Sequence, residues 1–165
     1  MPSPDVHIVP VESIPRPPYS TPSGDLPLMY AVSKKMEFLC ERLDGLGVSA
    51  AQVGLPWRMF VFRREPSDGG GFGCYFDCHY EGSGGAKSAS VEGCLSLPGQ
   101  MFSLERYDEV VVTGNELYDG EEGPASRAIT RSFSGLMSVL MQHEIDHDHG
   151  RERMIDVIGR KVSRA

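Results

Sequence analysis

The segment His143-Glu144-Ile145-Asp146-His147 sets two histidines four residues apart, with a glutamate directly after the first. On a helix, side chains at that spacing project from the same side one turn apart, so two imidazoles can grip a single cation. Glu144 then stands where it can take a proton from a water beside the cation without being a ligand itself. Two core or surface histidines with an accidental glutamate would give the same letters. The segment, however, falls on a helix that an apolar stripe predicts independently. The chemistry that follows is metal-assisted hydrolysis.

A catalytic site of this kind has three protein ligands and an open position, so a third ligand is needed. Zincin peptidases supply it from downstream, but here the residue six places after His147 is Arg153, and only 18 residues follow His147. The third ligand is therefore expected upstream. Cys94 is the strongest candidate, within Glu92-Gly93-Cys94-Leu95-Ser96, where Gly and Ser suit a tight backbone able to approach a metal. A cation would displace the thiol proton at neutral pH. Cys74 and Cys78, followed by His79, form the competing set, and read better as two thiols at a strand edge.

These residues need elements to hold them. A helix is expected from Asp25, which can cap its start, through Leu28, Val32, Met36, Leu39, Cys40 and Leu43, with Gly45 closing it. Candidate strands lie at Met59–Phe62, around Tyr75 and Phe76, at Val110–Thr113 and around Ala128–Thr130, separated by Gly-rich loops at 68–73 and 81–85. A late helix should begin near Ser132 or Ser134 and stop at Gly150, with Leu136, Val139, Leu140, His143 and His147 on one face turned to the core. Strands not regularly interleaved with helices predict an α+β domain. The Pro-rich residues 1–24 read as an extended arm over the domain or a partly mobile terminus.

Composition narrows the class further. A chain of 165 residues fits one domain, 1–165. Its formal net charge of −7 argues against direct nucleic-acid readout, and the Arg residues of 151–160 read as a solvated face. The first residues have no basic segment followed by an apolar one, and no apolar run reaches membrane-spanning length. Four cysteines in such a chain suggest reduced thiols in a cytoplasm.

Three separated segments together resemble one family, the peptide deformylases, and they occur in that family's order. They are Gly45-Leu46-Gly47-Val48-Ser49-Ala50-Ala51-Gln52, Glu92-Gly93-Cys94-Leu95-Ser96 and Gln142-His143-Glu144-Ile145-Asp146-His147. The resemblance implies antiparallel and mixed strands packed around a central helix that carries the histidine motif. It implies a hydrolase that removes the formyl group from the initiator methionine of nascent polypeptides and releases formate. Cys94, His143 and His147 would hold one divalent ion, Fe(II) in the cell, with Zn, Ni or Co in purified protein. Glu144 would act as base and then acid, while the Gln52 side-chain amide and the Leu95 backbone N–H would donate to the oxyanion. Leu46 and Gly47 would pair with the peptide backbone, and Leu136, Val139 and Leu140 would line the methionine pocket. Glu92 and Arg106, opposite in charge and flanking the second segment, are expected to pair and support the Cys94 loop.

The match has departures: Ser49 stands for a common Ala, Phe76-Asp77-Cys78 for a common Asn-Pro, Met101 for a common Arg and Asp148 for a Leu. A short C-terminal tail, 151–165, in place of a longer helix resembles the short deformylases of some phages. A monomer is expected, in the bacterial cytoplasm or in that of a phage host. Nascent-chain substrates imply docking at the ribosome, although the short tail removes the usual contact. The competing readings are a zincin-like metallopeptidase and an inactive metal-binding homologue.

Overall fold

The computed structural model describes residues 6–22 and 24–150, together with the backbone of 160–164. Helix α1 spans Leu26–Arg42, and the Asp25 side chain caps it by accepting from the Leu28 N–H at 3.0 Å. Its buried stripe is Met29, Val32, Met36 and Cys40. The expected stripe was one residue off in places, since Leu28 and Leu39 are half-buried and Leu43 is 46% exposed. The helix end also differs. Asp44, not Gly45, takes the left-handed conformation at φ 53°, and the Gly45 N–H reaches back to the Cys40 carbonyl at 2.9 Å.

Eight strands follow among the described residues: β1 (Gly47–Ser49), β2 (Met59–Arg63), β3 (Phe72–Gly82), β4 (Lys87–Cys94), β5 (Leu97–Tyr107), β6 (Glu109–Gly120), β7 (Gly123–Ser134) and β8 (Arg160–Arg164). They form a five-stranded sheet, β1-β2-β3-β6-β7, and a three-stranded sheet, β4-β5-β8, with antiparallel pairing throughout. Helix α2 (Gly135–Asp148) packs against strands of both sheets. The fold is α+β around this central helix. Of the C-terminal tail, 151–159 lies outside the described residues, and 160–164 is a strand on β5 rather than a plain extension.

Alternation along β2 sorts the core into two layers. Met59 and Val61 join the cluster beneath α1, while Phe60 and Phe62 join Met137, Met141 and Ile145 of α2. Strand β3 obeys the same rule until Asp77, where the chain turns left-handed at φ 51° and the ladder to β6 shifts register. This bulge inverts the parity: Cys74 and Phe76 face the α1 layer, whereas Cys78 faces the α2 layer. Gly114 sits opposite, where a Cβ would lie 2.4 Å from Cys78 Sγ. The expectation of two thiols at a strand edge is thus corrected. Both are buried on a central strand and belong to different core layers, so they cannot share a ligand.

Strands β1, β4 and β5 were not legible in the sequence, because their polar, Gly-rich stretches lack sustained apolar alternation. The Gly-rich loops are also shorter than expected, as β3 begins at Phe72 and runs to Gly82. The N-terminal arm lies over the domain: Val6 and Ile8 pack on the α1 layer, Tyr19 is buried, and the Val9 N–H donates to the Gln52 carbonyl at 2.9 Å. No helix among the described residues is long and apolar enough to cross a membrane.

Candidate metal centre and active site

Helix α2 starts after Ser134, which occupies the cap position without a side-chain cap bond, and ends at His149. It is buried along almost its whole second half, from Met141 to Asp148. The sequence placed Leu136, Val139, Leu140, His143 and His147 on a face turned to the core. That face instead borders a cleft of about 620 Å³, with Leu136 61% exposed and Val139 half-buried. Met137, Met141 and Ile145 fill the core from the neighbouring face. Only Leu140 serves both.

Cys94 reaches the cleft from the other sheet. It ends β4, and Leu95-Ser96 form the tight turn into β5, with Cys94 paired to Leu97. Cys94 Sγ lies 3.5 Å from His147 Nε2, which lies 3.2 Å from His143 Nε2. The three ligand atoms all fall within 4.8 Å of one another. One sulfur and two imidazole nitrogens at this spacing form the donor set that a first-row divalent ion takes, with room for a fourth ligand from the cleft. The residues fit such an ion.

The groups around the triad fix its geometry. Glu92 accepts from His143 Nδ1 at 2.9 Å, which leaves Nε2 to face the cluster. Arg106 grips both oxygens of Glu92, at 2.9 and 2.8 Å, and Asp146 Oδ2 at 2.6 Å. Burial alone would raise the Glu92 carboxyl, but its bonds to Arg106 and His143 outweigh that and hold it at about 2. Burial likewise opposes a charge on His143, yet its contacts with Cys94 and Glu92 lift it to about 10. His147 is driven well below the ordinary value, first by burial and then by the charge of His143. One imidazole is thus kept neutral even in the metal-free chain.

Glu144 is buried beside the triad, and its Oε2 makes no hydrogen bond among the described residues. Burial pushes it up to about 7, against the pull of His143. A buried carboxylate oxygen without a partner is costly unless something in the cleft engages it. Gln52 stands across from it in the 3-10 turn Ala50–Val53 after β1. Its Oε1 accepts from the Ser49 N–H at 3.0 Å, and its Nε2 donates to Cys94 Sγ at 3.2 Å and Ser96 Oγ at 3.0 Å. The carbonyl end is anchored, so the amide end points into the site.

Leu46, Gly47, Gln52, Leu95, Leu136, Val139 and Leu140 all border the same cleft as Cys94, His143 and Glu144. Gly45 permits this closeness, because a Cβ there would lie 2.9 Å from Leu95 Cδ1. Sequence reasoning named Glu92 and Arg106, which lie 2.8 Å apart, but missed other groups behind the candidate ligands. Asp146 accepts from Tyr80 Oη at 2.9 Å as well as from Arg106, and Gln142 pins α2 to β5 through the Tyr107 N–H and C=O, each at 2.9 Å. Asp146 sits three residues after His143, a spacing that could have marked it as a neighbour. Nothing local could have named Tyr80.

The family model of polypeptide deformylase matches residues 20–161 of the chain. The chain belongs to this family. It is 36% identical over 118 residues to peptide deformylase 2 of Streptomyces coelicolor, covering 71% of this chain and 62% of that relative. It is 30% identical over 164 residues to a peptide deformylase of Mycobacteroides abscessus, covering 94% and 78%. The chain thus spans about three fifths of the length of the Streptomyces relative. Among solved deformylases, that of Synechococcus elongatus, in complex with actinonin, superposes with a TM-score of 0.72 at 26% identity, over 91% of this chain and 77% of that one. A probable peptide deformylase from a Synechococcus phage shares the fold, with a TM-score of 0.74 at 24% identity over 88% and 95%.

Proposed function

We propose that this deformylase-family chain is a metal-dependent hydrolase that removes the formyl group from N-terminal formyl-methionine and releases formate. The observation that carries the reading is the buried, unpartnered Oε2 of Glu144 beside the Cys94, His143 and His147 cluster. Those three residues would hold one divalent ion through Sγ and the two Nε2 atoms. When bound, the ion supplies the Lewis acidity that makes water nucleophilic at neutral pH. Fe(II) is the ion proposed for the cell, and Zn, Ni or Co suits the same donors.

Glu144 takes a proton from water as the water attacks the formyl carbon. A carboxyl raised by burial toward neutrality suits both taking that proton and returning it. The Gln52 amide and the Leu95 N–H donate to the formyl oxygen as it becomes an oxyanion, each such donor being worth about 3 to 4 kcal/mol in a fixed site. Glu144 then protonates the leaving amine, and a peptide with a free amino terminus departs with formate.

The free outer edge of β1 supports a role for Leu46 and Gly47 in pairing with the peptide backbone, since β1 is an end strand of its sheet. Leu136, Val139 and Leu140 would take the methionine side chain, apolar and flexible. Nascent chains at the ribosome are the proposed source of substrate, met in the cytoplasm by a monomer. The test is formate release from formyl-Met-Ala-Ser with the metal-loaded protein, beside unformylated Met-Ala-Ser. Cleavage of an internal peptide bond without formate would reject the reading.

A further inference from the structure

Arg63 ends β2 and stands outside the cleft wall, yet a backbone and a side-chain donor of this one residue both reach the first motif. Its backbone N–H donates to the Leu46 carbonyl and its side-chain Nε to the Gly45 carbonyl, each at 2.8 Å. The guanidinium is itself held, with its centre 5.0 Å from the ring of Phe72, the β3 residue paired with Arg63. From the other side, the Gly45 N–H returns to the Cys40 carbonyl of α1 at 2.9 Å, and a Cβ on Gly45 would stand 2.9 Å from Leu95 Cδ1. Gly45 is thus fixed between α1 and β2 as the chain leaves the left-handed turn at Asp44 for β1.

A trans peptide unit sends its C=O and the following N–H in opposite directions. With the Gly45 and Leu46 carbonyls both directed at Arg63, the N–H groups of Leu46 and Gly47 point away from β2, toward the side where β1 ends its sheet. Both residues border the cleft. Resting on the deformylase reading, we propose that Arg63 is a positioning residue, whose side chain sets the Gly45–Leu46 peptide unit so that the Leu46 N–H joins that of Gly47 in donating to backbone carbonyls of the substrate peptide. Arg63 touches no reacting atom. Without its Nε the Gly45 carbonyl is free to turn, and the Leu46 N–H turns with it. Such bonds hold substrate and transition state alike, so their loss falls on KM and not on kcat.

Two substitutions separate the donor from the bulk of the side chain. In Arg63→Gln the amide nitrogen falls where Nε stood and still donates, whereas Arg63→Met has nearly the same reach and no donor. With metal-loaded protein and formyl-Met-Ala-Ser, Arg63→Met should raise KM by about tenfold and leave kcat within about twofold, while Arg63→Gln should keep KM within about threefold of the parent. Amide exchange followed by NMR reads the same contact without turnover. The product Met-Ala-Ser should slow exchange at Leu46 and Gly47 in the parent, and at Leu46 much less in Arg63→Met. Equal KM for the two variants, or a fall in kcat at unchanged KM, overturns the proposal. A parent protein whose Leu46 amide gains no protection from Met-Ala-Ser overturns it whatever the variants do. Absence of formate from every protein overturns the deformylase reading instead, and exchange at Leu46 still decides the role of Arg63.

Discussion

A Cβ placed on Gly47 would stand 3.0 Å from Oε1 of Glu144 and 3.0 Å from the Val61 carbonyl oxygen. The first motif thus leaves space for the proposed base of the third, and the Val61 carbonyl is a backbone oxygen that cannot yield. Gly47→Ala should push the Glu144 carboxylate off its line and lower kcat by about tenfold to a hundredfold, since a shift of about 1 Å in a reacting group costs that much. Metal content per chain should stay at one. Formate assays paired with elemental analysis check this, and an unchanged kcat would show that the carboxylate position is not critical.

Glu144→Ala removes the proposed base and none of the proposed ligands. The protein should keep its ion while kcat falls by roughly 10²- to 10⁴-fold. Activity close to that of the parent protein would assign the proton transfer to another group.

Arg106 neutralises two buried carboxylates, Glu92 and Asp146, at 2.8 and 2.6 Å. Arg106→Leu removes the cation shared by both and should destabilise the chain by about 3 to 5 kcal/mol, measured by urea unfolding of the metal-free protein. Glu92→Gln should be milder in stability but should weaken ion binding by about 10- to 100-fold, because the acceptor that orients His143 loses its negative charge. Competition titration against a chelator reads that loss.

The pH dependence of the metal-free chain follows from the sign of the Glu92 shift. Its carboxyl is held at about 2, below the ordinary 4.5, so its ion pairs stabilise the fold above the ordinary value and that stability is lost as pH falls toward 2. Unfolding free energy should drop across that window by an amount on the order of 3 kcal/mol. Glu92→Gln should flatten the slope there. A parent and a variant with parallel curves would contradict the assignment.

Thiol chemistry offers an independent view of the site. Cys94 is partly exposed, whereas Cys40, Cys74 and Cys78 are buried. Burial pushes Cys40 up to about 11 and Cys78 to about 12, and raises Cys74 as well. At pH 8 Cys40 and Cys78 ionise to roughly a thousandth or less and Cys74 is buried, so iodoacetamide should modify Cys94 first in the metal-free protein. Added Zn should protect Cys94, and peptide mapping by mass spectrometry would show it.

The closeness of His143 and His147 was legible because helix geometry makes it so: residues four apart on one helix meet whatever the rest of the chain does. Asp25 as a cap was legible for the same local reason. The direction faced by the Leu136–Leu140 stripe was not, since periodicity reports that a face is apolar and not whether a core or a cleft lies against it. Strands β4 and β5 were missed because Lys87–Cys94 is largely polar and exposed, and its pairing with β5 is supplied by hydrogen bonds rather than by a buried apolar face.

The sequence by itself determined the chemistry: a thiol, two imidazoles and a carboxylate of types and spacing that suit one ion and one proton transfer. The sequence also favoured Cys94 as the thiol, but only the tertiary structure brings it to the two imidazoles. Cys94 ends a strand 53 residues before His147 on α2, and no local rule sets the distance between that strand and the helix. Tertiary structure also decided that Tyr80 and Asp146 extend the Arg106–Glu92 pair, which the sequence had suggested, into one hydrogen-bonded chain to His143. Buried polar groups must find partners wherever folding brings them, and those partners are neighbours in space, not along the chain.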